Sequence, residues 1–249
     1  MTVRVERRTA VTVITIDRPD KRNAIDGATT LALDAAFNEF SDDEQSLVAV
    51  LTGGPEFFCA GTDIVAWAGP PTERGGPYGI ARRDLHKPLI AAVEGVAAGG
   101  GFEIALAATL IVASTSATFS FPEVKLGLVA ECGGLFRAPR ALPVNIAREL
   151  LLTGRPLTAE RAHQFGVVNR LTEPGHALTE AIALAEEIAA LAPVAVRESL
   201  AAVEALYAEA DRSGWNSTAT AREHARSSAD ATEGVAAFTQ RRPPVWTGR

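Results

Sequence analysis

The sequence of 249 residues is poor in cysteine, in histidine and in positive charge, and each shortage excludes a class of protein. Its two cysteines, Cys59 and Cys132, are too few for a disulfide scaffold or a cysteine-rich zinc site, and they favour a reducing compartment such as the cytoplasm. The four histidines show no metal-ligand spacing, so no metal is expected. The formal net charge of −6 argues against a nucleic-acid binder, which needs a basic face.

The sequence also lacks an apolar run that is both long and free of charge. Residues 89–113 come closest, but they contain Glu94, Glu103 and three consecutive glycines. Carboxylates near the middle of a bilayer are costly, and the glycines weaken a helix. The N-terminal residues show no apolar core followed by a cleavage site, so no secretory signal is predicted. We therefore expect a buried segment of a cytoplasmic protein that does not contact membranes.

Hydrophobic residues make up 47% of the chain, enough for a sizeable core. Strands are predicted at residues 11–17, 47–52, 89–93, 110–113 and 167–171, and helices at 27–40, 101–108, 145–152 and from Thr158 onwards. This alternation favours an α/β core with a largely parallel sheet over residues 1–175.

Residues 176–249 predict helices without strands. The helical stretches are 176–191, 195–210 and 215–229, with Pro193 and Gly214 between them. This region either covers the core or packs on a neighbouring subunit. A further stretch rich in proline and glycine, residues 68–79, predicts a surface loop that either merely connects two elements or lines a pocket.

Two turns of small residues each follow a predicted strand. One is Phe-Phe-Cys-Ala-Gly-Thr-Asp-Ile at 57–64, and the other runs from Gly95 to Glu103 through the three glycines. Small residues let backbone N–H groups face a ligand, and two such donors aimed at one oxygen form an oxyanion hole. The alternative is two ordinary turns. A dinucleotide site is excluded because the G-x-G-x-x-G order is absent.

Three carboxylates lie among apolar residues and glycines: Glu103, Glu123 and Glu131. A buried carboxylate must be paired, hydrogen-bonded or shifted in pKa, which makes it a candidate for catalysis. The alternatives are a helix-end charge for Glu103 and loop acids, solvated or ion-paired, for the other two. Ser120 and Cys59 lack a partner arrangement of His and Asp, so nucleophilic catalysis is not predicted.

Together these segments resemble the crotonase (enoyl-CoA hydratase/isomerase) superfamily. The resemblance covers nearly the whole chain and is carried by residues 14–25, 58–64, 88–103, 152–169 and 238–242. Within the superfamily, the glycine triplet with Glu103, the sequence Glu-Cys-Gly-Gly from Glu131, and the terminal Pro-Val-Trp-Thr-Gly-Arg most resemble the carnitinyl-CoA dehydratase branch.

The resemblance implies a crotonase spiral of ββα units with a helical C-terminal region, assembled as a homotrimer or a dimer of trimers. It implies a hydro-lyase that adds water reversibly to 2-enoyl-CoA, or dehydrates 3-hydroxyacyl-CoA, with carnitinyl-CoA among the candidate substrates. No cofactor is implied beyond the CoA of the substrate. Two alternatives stay open: an enoyl-CoA isomerase, and a non-catalytic acyl-CoA-binding protein.

Position by position, the resemblance also implies roles. The N–H groups of Thr62 and Gly100 stabilise the thioester oxygen, Glu123 protonates C2 and Glu103 activates the water. For Glu131 the hypothesis rests only on the acid at that position: it attracts a cationic acyl tail such as a trimethylammonium group, or it is a solvated or ion-paired loop acid.

The CoA contacts are also assigned by resemblance. The assigned residues are Lys21, Arg22, Ala24, Ala60, Asp63, Ile64, Phe238 and Arg241. Arg241 is expected to reach CoA from a neighbouring subunit. For each Lys or Arg the alternative is a solvated surface charge.

Overall fold

A computed structural model describes residues 2–249 of the chain. Its strands are β1 (Val3–Arg8), β2 (Val11–Ile16), β3 (Val48–Thr52), β4 (Leu89–Val93), β5 (Val96–Ala98), β6 (Leu110–Ser114), β7 (Thr118–Ser120), β8 (Leu157–Thr158) and β9 (Arg170–Thr172). Its α-helices are α1 (Gly27–Asp42), α2 (Gly100–Leu106), α3 (Gly134–Ala141), α4 (Val144–Thr153), α5 (Ala159–Gln164), α6 (Ala177–Ala189), α7 (Pro193–Ala205), α8 (Ala208–Arg226) and α9 (Ala229–Thr239).

The main sheet has six strands in the order β1-β2-β3-β4-β6-β9. β1 pairs antiparallel with β2, and every later pair in this sheet is parallel. All residues of β3 and β4 are buried, as their unbroken apolar sequences predict for central strands covered on both faces. The predicted parallel α/β core is therefore confirmed.

A smaller sheet in the order β5-β7-β8 stands beside the main one. β5 follows β4 almost directly, and an isolated parallel bridge joins Cys59 to Ala97 within β5. The chain that follows β3 is thereby held against the chain that follows β4. This contact brings together the two glycine-containing turns that the sequence singles out.

Helices cover both faces of the main sheet. On one face α1 packs with Leu33 and Phe37 in the larger apolar core. On the other face α6 packs with Ala181, Ile182 and Ala185 against β2, β3, β4 and β6. The first helix of the C-terminal region thus covers the sheet, while α7 buries none of its residues against the rest of the chain.

Two local expectations were wrong. The strand predicted at 167–171 begins only at Arg170, because Val167 and Val168 are buried in the turn that follows α5. Gly214 does not separate two helices but lies within α8, where its missing side chain admits the ring of Phe136.

Among the described helices, none combines the length and the apolar composition that crossing a membrane requires.

Candidate active site

A cavity of about 620 Å³ lies beside the segments that follow β3 and β4. All the predicted site residues but one line it: Lys21, Arg22, Ala24, Ala60, Thr62, Asp63, Ile64, Gly100, Glu103, Glu123, Glu131 and Phe238. The exception is Arg241. The side chain next to it, Arg242, lines the cavity instead and is ion-paired with Glu233.

Buried Asn23 fixes the first turn. Its Nδ2 donates to the carbonyl oxygens of Gly53, at 2.6 Å, and Phe57, at 2.8 Å, so it ties the segment before α1 to the loop after β3. Backbone hydrogen bonds continue this tie, because the N–H of Ile25 donates to Gly61 O at 2.8 Å and the N–H of Asp63 to Ile25 O at 2.9 Å. Thr62 is thereby held between two anchored residues.

The second turn packs directly on the first. A Cβ placed on Gly61 would lie 2.7 Å from Ala98 O and 3.0 Å from Gly100 N, and its φ of +90° disfavours any side chain. Gly61 therefore allows the two backbones to approach. Within residues 2–249, neither the N–H of Thr62 nor that of Gly100, the first residue of α2, finds a backbone or side-chain acceptor. Both donors are available to a ligand.

Tyr78 supports both turns, although the sequence analysis did not single it out. Its hydroxyl is hydrogen-bonded to Thr62 Oγ1 at 2.7 Å, and a Cβ on Gly100 would lie 2.3 Å from the same hydroxyl. Tyr78 is buried and belongs to residues 68–79, so this stretch lines the cavity rather than merely connecting two elements. The φ of Tyr78 is +57°, and a tyrosine in the sequence gives no sign of this conformation.

Glu103 is almost completely buried in the first turn and a half of α2, with 1% of its surface exposed. Its Oε1 accepts hydrogen bonds from the N–H groups of Cys132, at 2.7 Å, and Gly134, at 2.8 Å. Burial raises the pKa of Glu103 to about 7, while these two amides act in the opposite direction by favouring the ionised form.

Glu123 lies in a short 3₁₀ turn, Pro122–Leu126, and faces the same cavity. A Cβ on Gly99 would lie 3.0 Å from its Oε1, so the carboxyl group is next to the second turn. Its Oε2 is buried and has no hydrogen-bond partner in the described chain. Burial, together with the charge of Glu103, raises the pKa of Glu123 to about 8.

Glu131 is ion-paired, as one of the two alternatives predicted. Its Oε2 accepts a hydrogen bond from Arg226 Nε at 2.9 Å, and its Oε1 accepts one from Nη2 of the same guanidinium. That guanidinium also lies over the ring of Trp67, 5.2 Å from its centroid. Arg226 and Trp67 line the cavity, and neither is part of a motif in the sequence that signals a site.

Lys21 and Arg22 lie at another part of the cavity and have no ion-pair partner in the part of the chain described. The Arg22 guanidinium lies 5.6 Å from the centroid of the Phe57 ring. Asp63, by contrast, is structurally engaged: its Oδ1 accepts from the N–H groups of Val65 and Ala66, each at 3.1 Å. Free basic side chains are suited to phosphate groups.

Burial disfavours the thiolate, which is the nucleophilic form, for both cysteines. Cys59 and Cys132 are free and buried, and burial raises the pKa of Cys59 to about 12. Residues 2–249 contain no group of three or more His, Cys, Asp or Glu side chains that could hold a metal ion.

Comparison with known proteins gives consistent results. The model of the family described as "Enoyl-CoA hydratase/isomerase" matches residues 6–249. A carnitinyl-CoA dehydratase of Salmonella paratyphi B is 44% identical over 95% of this chain and 94% of its own. The solved structure of a carnitinyl-CoA hydratase from Mycobacterium avium is 40% identical, with a TM-score of 0.93, and covers 100% of this chain and 99% of its own. An enoyl-CoA hydratase structure from Mycobacterium tuberculosis is 45% identical, with the same coverage and a TM-score of 0.81.

Proposed function

The chain belongs to the enoyl-CoA hydratase/isomerase family, and from that premise we propose that its cavity adds water reversibly to 2-enoyl-CoA thioesters. The family resemblance, the hydro-lyase class and the crotonase fold expected from the sequence are confirmed. One observation carries the assignment of residues: a buried glutamate, Glu103, and a half-buried one, Glu123, differ in hydrogen bonding and share a cavity with two unpaired main-chain amides.

The amides of Thr62 and Gly100 are assigned to the thioester oxygen. Addition of water at C3 places negative charge on that oxygen as an enolate, and N–H donors fixed in advance stabilise it without reorganisation. The packing of Gly61 against Ala98 and Gly100 supports this role, because it holds the two donors close together. Loss of one such donor typically costs about 10²–10³ in rate.

The hydrogen bonding of the two glutamates supports different roles for them. Glu103 accepts two amide hydrogen bonds, which favour its ionised form, so we assign it as the base. Glu123 has a buried oxygen without a partner, and both burial and the charge of Glu103 raise its pKa, so we assign it as the acid. Two carboxyl groups with separated pKa values can divide the work of acid and base.

In the proposed hydration step, each of the two glutamates transfers one proton. Glu103 takes a proton from water as the water oxygen bonds to C3, and the π electrons of the double bond move through C2 to the thioester oxygen. When the carbonyl re-forms, C2 takes the proton of Glu123. A 3-hydroxyacyl-CoA results, with Glu103 protonated and Glu123 ionised, so one proton must return before the next turnover. In dehydration the two residues exchange roles.

CoA binding is assigned to the basic part of the cavity. Lys21 and Arg22 are the candidates for its phosphates, and Ala24, Ala60, Asp63, Ile64 and Phe238 line the route towards the catalytic pair. The proposal needs no cofactor beyond the CoA of the substrate. We further propose a homotrimer or a dimer of trimers in the cytoplasm, in which Arg241 contacts CoA bound to a neighbouring subunit.

Carnitinyl-CoA is a second candidate substrate because several relatives carry that name. The carnitinyl-CoA dehydratase of Salmonella paratyphi B matches 95% of this chain. An acid at Glu131 is the feature of the cavity that would attract a trimethylammonium group, but here it is already paired with Arg226.

The experiment that tests the proposal follows loss of the enoyl-thioester absorbance of crotonyl-CoA and detects 3-hydroxybutyryl-CoA as the product. We expect turnover with uptake of water. Conversion of a 3-enoyl-CoA to a 2-enoyl-CoA without hydration would instead identify an isomerase. Tight binding of CoA esters without any turnover would identify a binding protein, and either result overturns the proposal.

A further inference from the structure

A cluster of three side chains closes the cavity near the catalytic glutamates: Glu131, Arg226 and Trp67, here called the Arg226 cluster. Glu131 directly precedes Cys132, whose N–H holds Glu103 at 2.7 Å. The charge of Glu131 also acts to raise the pKa of both Glu103 and Glu123. The cluster therefore lies on the side of the cavity that holds the two glutamates, where we expect the acyl chain of a CoA ester to extend.

A carboxylate beside the face of an indole ring is a binding site for an organic cation. Quaternary ammonium groups bind over aromatic faces, and an adjacent negative charge adds to the attraction. In this chain the Arg226 guanidinium takes both places, because it forms a two-pronged ion pair with Glu131 and lies over the Trp67 ring. The Arg226 guanidinium is thus the cation that Glu131 and Trp67 bind in this structure.

Arg226 is attached in a way that lets it compete with a ligand. It is the last residue of α8, and 45% of its side chain is exposed, so the side chain reaches the cluster from the solvent side. A tethered group has a high effective concentration at its own site, and a cation on the substrate must displace it. An exposed ion pair is worth at most about 1 kcal/mol, so such displacement is costly but not prohibitive.

We propose that Glu131 and Trp67 form a cation subsite for the acyl tail, that Arg226 occupies it, and that the enzyme therefore selects uncharged acyl groups over those with a quaternary ammonium group on C4. This inference rests on the proposed hydratase function and specifies its substrate class. Arg226 is then the specificity-determining residue, and its removal opens the site to a trimethylammonium group.

The test compares two substrates of equal shape. One is the 2-enoyl-CoA with a trimethylammonium group on C4, and the other is its neutral isostere, in which carbon replaces the ammonium nitrogen. The measured quantity is the ratio of kcat/KM for the charged ester to that for the neutral one. This ratio cancels any general loss of folded enzyme or of catalytic rate.

We expect the wild-type ratio to lie below one and Arg226→Gln to raise it about fivefold, which corresponds to about 1 kcal/mol. The double variant Arg226→Gln with Glu131→Gln should lose that gain, because the anion is gone. Arg222→Gln is the matched control: it removes the same charge one turn earlier on α8, outside the cavity, and should leave the ratio unchanged.

Several results overturn the inference. One is a ratio that Arg226→Gln leaves unchanged, and another is a wild-type enzyme that already prefers the charged ester. A third is a wild-type preference for an acyl group with a terminal carboxylate that Arg226→Gln abolishes, because Arg226 would then be a receptor for anions. Failure of the proposed function looks different, since the wild-type enzyme would then hydrate neither the neutral isostere nor crotonyl-CoA.

Discussion

Glu103 and Glu123 are the same residue type in the same cavity, yet their surroundings differ. Two amides hold Oε1 of Glu103, whereas Oε2 of Glu123 is buried without a partner. The sequence identified both glutamates, because a carboxylate in an apolar, glycine-rich segment must have a special environment. The sequence did not predict how the surroundings of the two glutamates differ, since the Cys132 and Gly134 amides that hold Glu103 come from a distant segment.

Glu103→Gln and Glu123→Gln test this pair. Each substitution removes one proton-transfer group, so kcat on crotonyl-CoA should fall by about 10²–10⁴ while the Kd for a saturated acyl-CoA changes little. Steady-state kinetics and calorimetry check the two quantities. Glu198→Gln on α7 is exposed and outside the cavity, and it should behave as wild type. Near-normal turnover in either catalytic variant would remove that residue from the mechanism.

The pKa of Glu123 also makes the stability of the protein depend on pH. Burial raises that pKa from an ordinary value near 4.5 to about 8. Between these values the folded state keeps a proton that the unfolded state loses, so the free energy of unfolding falls as pH rises. One pKa unit corresponds to about 1.4 kcal/mol.

Glu123→Gln removes that dependence. In urea unfolding at about pH 9, the variant should be at least about 1 kcal/mol more stable than the wild type, and the gain should vanish at about pH 5. A gain that is the same at both pH values would show that ionisation of Glu123 is not its cause.

The hydrogen bond between the hydroxyl groups of Thr62 and Tyr78 is a feature of this site that the sequence did not predict. Their hydroxyls are 2.7 Å apart, and Tyr78 is buried against Gly100. Tyr78→Phe should cost about 0.5–1.5 kcal/mol of stability and lower kcat several-fold by loosening the turn that carries the Thr62 amide. Thr62→Ala should do the same.

If Tyr78 acts through Thr62, the double variant is no worse than the singles, whereas fully additive effects in the double-mutant cycle would contradict this role.

At the scale of elements, most of the correct predictions of strands and helices came from apolar runs and glycines. β3 and β4 are buried on both faces, and their sequences could hardly be anything but central strands. β1 was not predicted because an edge strand buries only Val3 and its charged residues face water. Gly214 was misread because its role is close packing on Phe136, which depends on a distant helix.

Gly101 holds α2 in place and offers a test at this scale. A Cβ on Gly101 would lie 2.1 Å from the carbonyl oxygen of Cys59, so Gly101→Ala must push α2 away from the first turn. We expect about 1–3 kcal/mol of lost stability and a clear fall in kcat. A Cβ on Gly27, at the start of α1, meets nothing closer than 3.8 Å, so Gly27→Ala should be tolerated. Equal effects of the two substitutions would contradict the packing argument.

For the whole molecule, the exposed apolar residues of the C-terminal region are the feature that supports the proposed assembly. α7 buries none of its residues, and Val194, Val203, Leu206 and Phe238 are more than half exposed. A set of large apolar side chains on one region commonly marks an interface. Assembly could not be predicted from composition alone, because an alanine-rich helix suits either a core or a subunit contact.

Light scattering after gel filtration tests the assembly. We expect a mass three or six times that of the 26.2 kDa chain. Val203→Glu on the exposed side of α7 should shift the mass towards the monomer, whereas Glu198→Gln on the same helix should not. A monomer at every concentration tested would rule out both the trimer and the assignment of Arg241 to a neighbouring subunit.

The most direct test of the account is a crystal structure with a saturated acyl-CoA, which binds but cannot be hydrated. We expect the thioester oxygen to lie within about 3 Å of both the Thr62 and the Gly100 nitrogen, with the carboxyl groups of Glu123 near C2 and Glu103 near C3. A thioester oxygen bound away from those two amides, or an acyl chain that does not pass between the two glutamates, would contradict it.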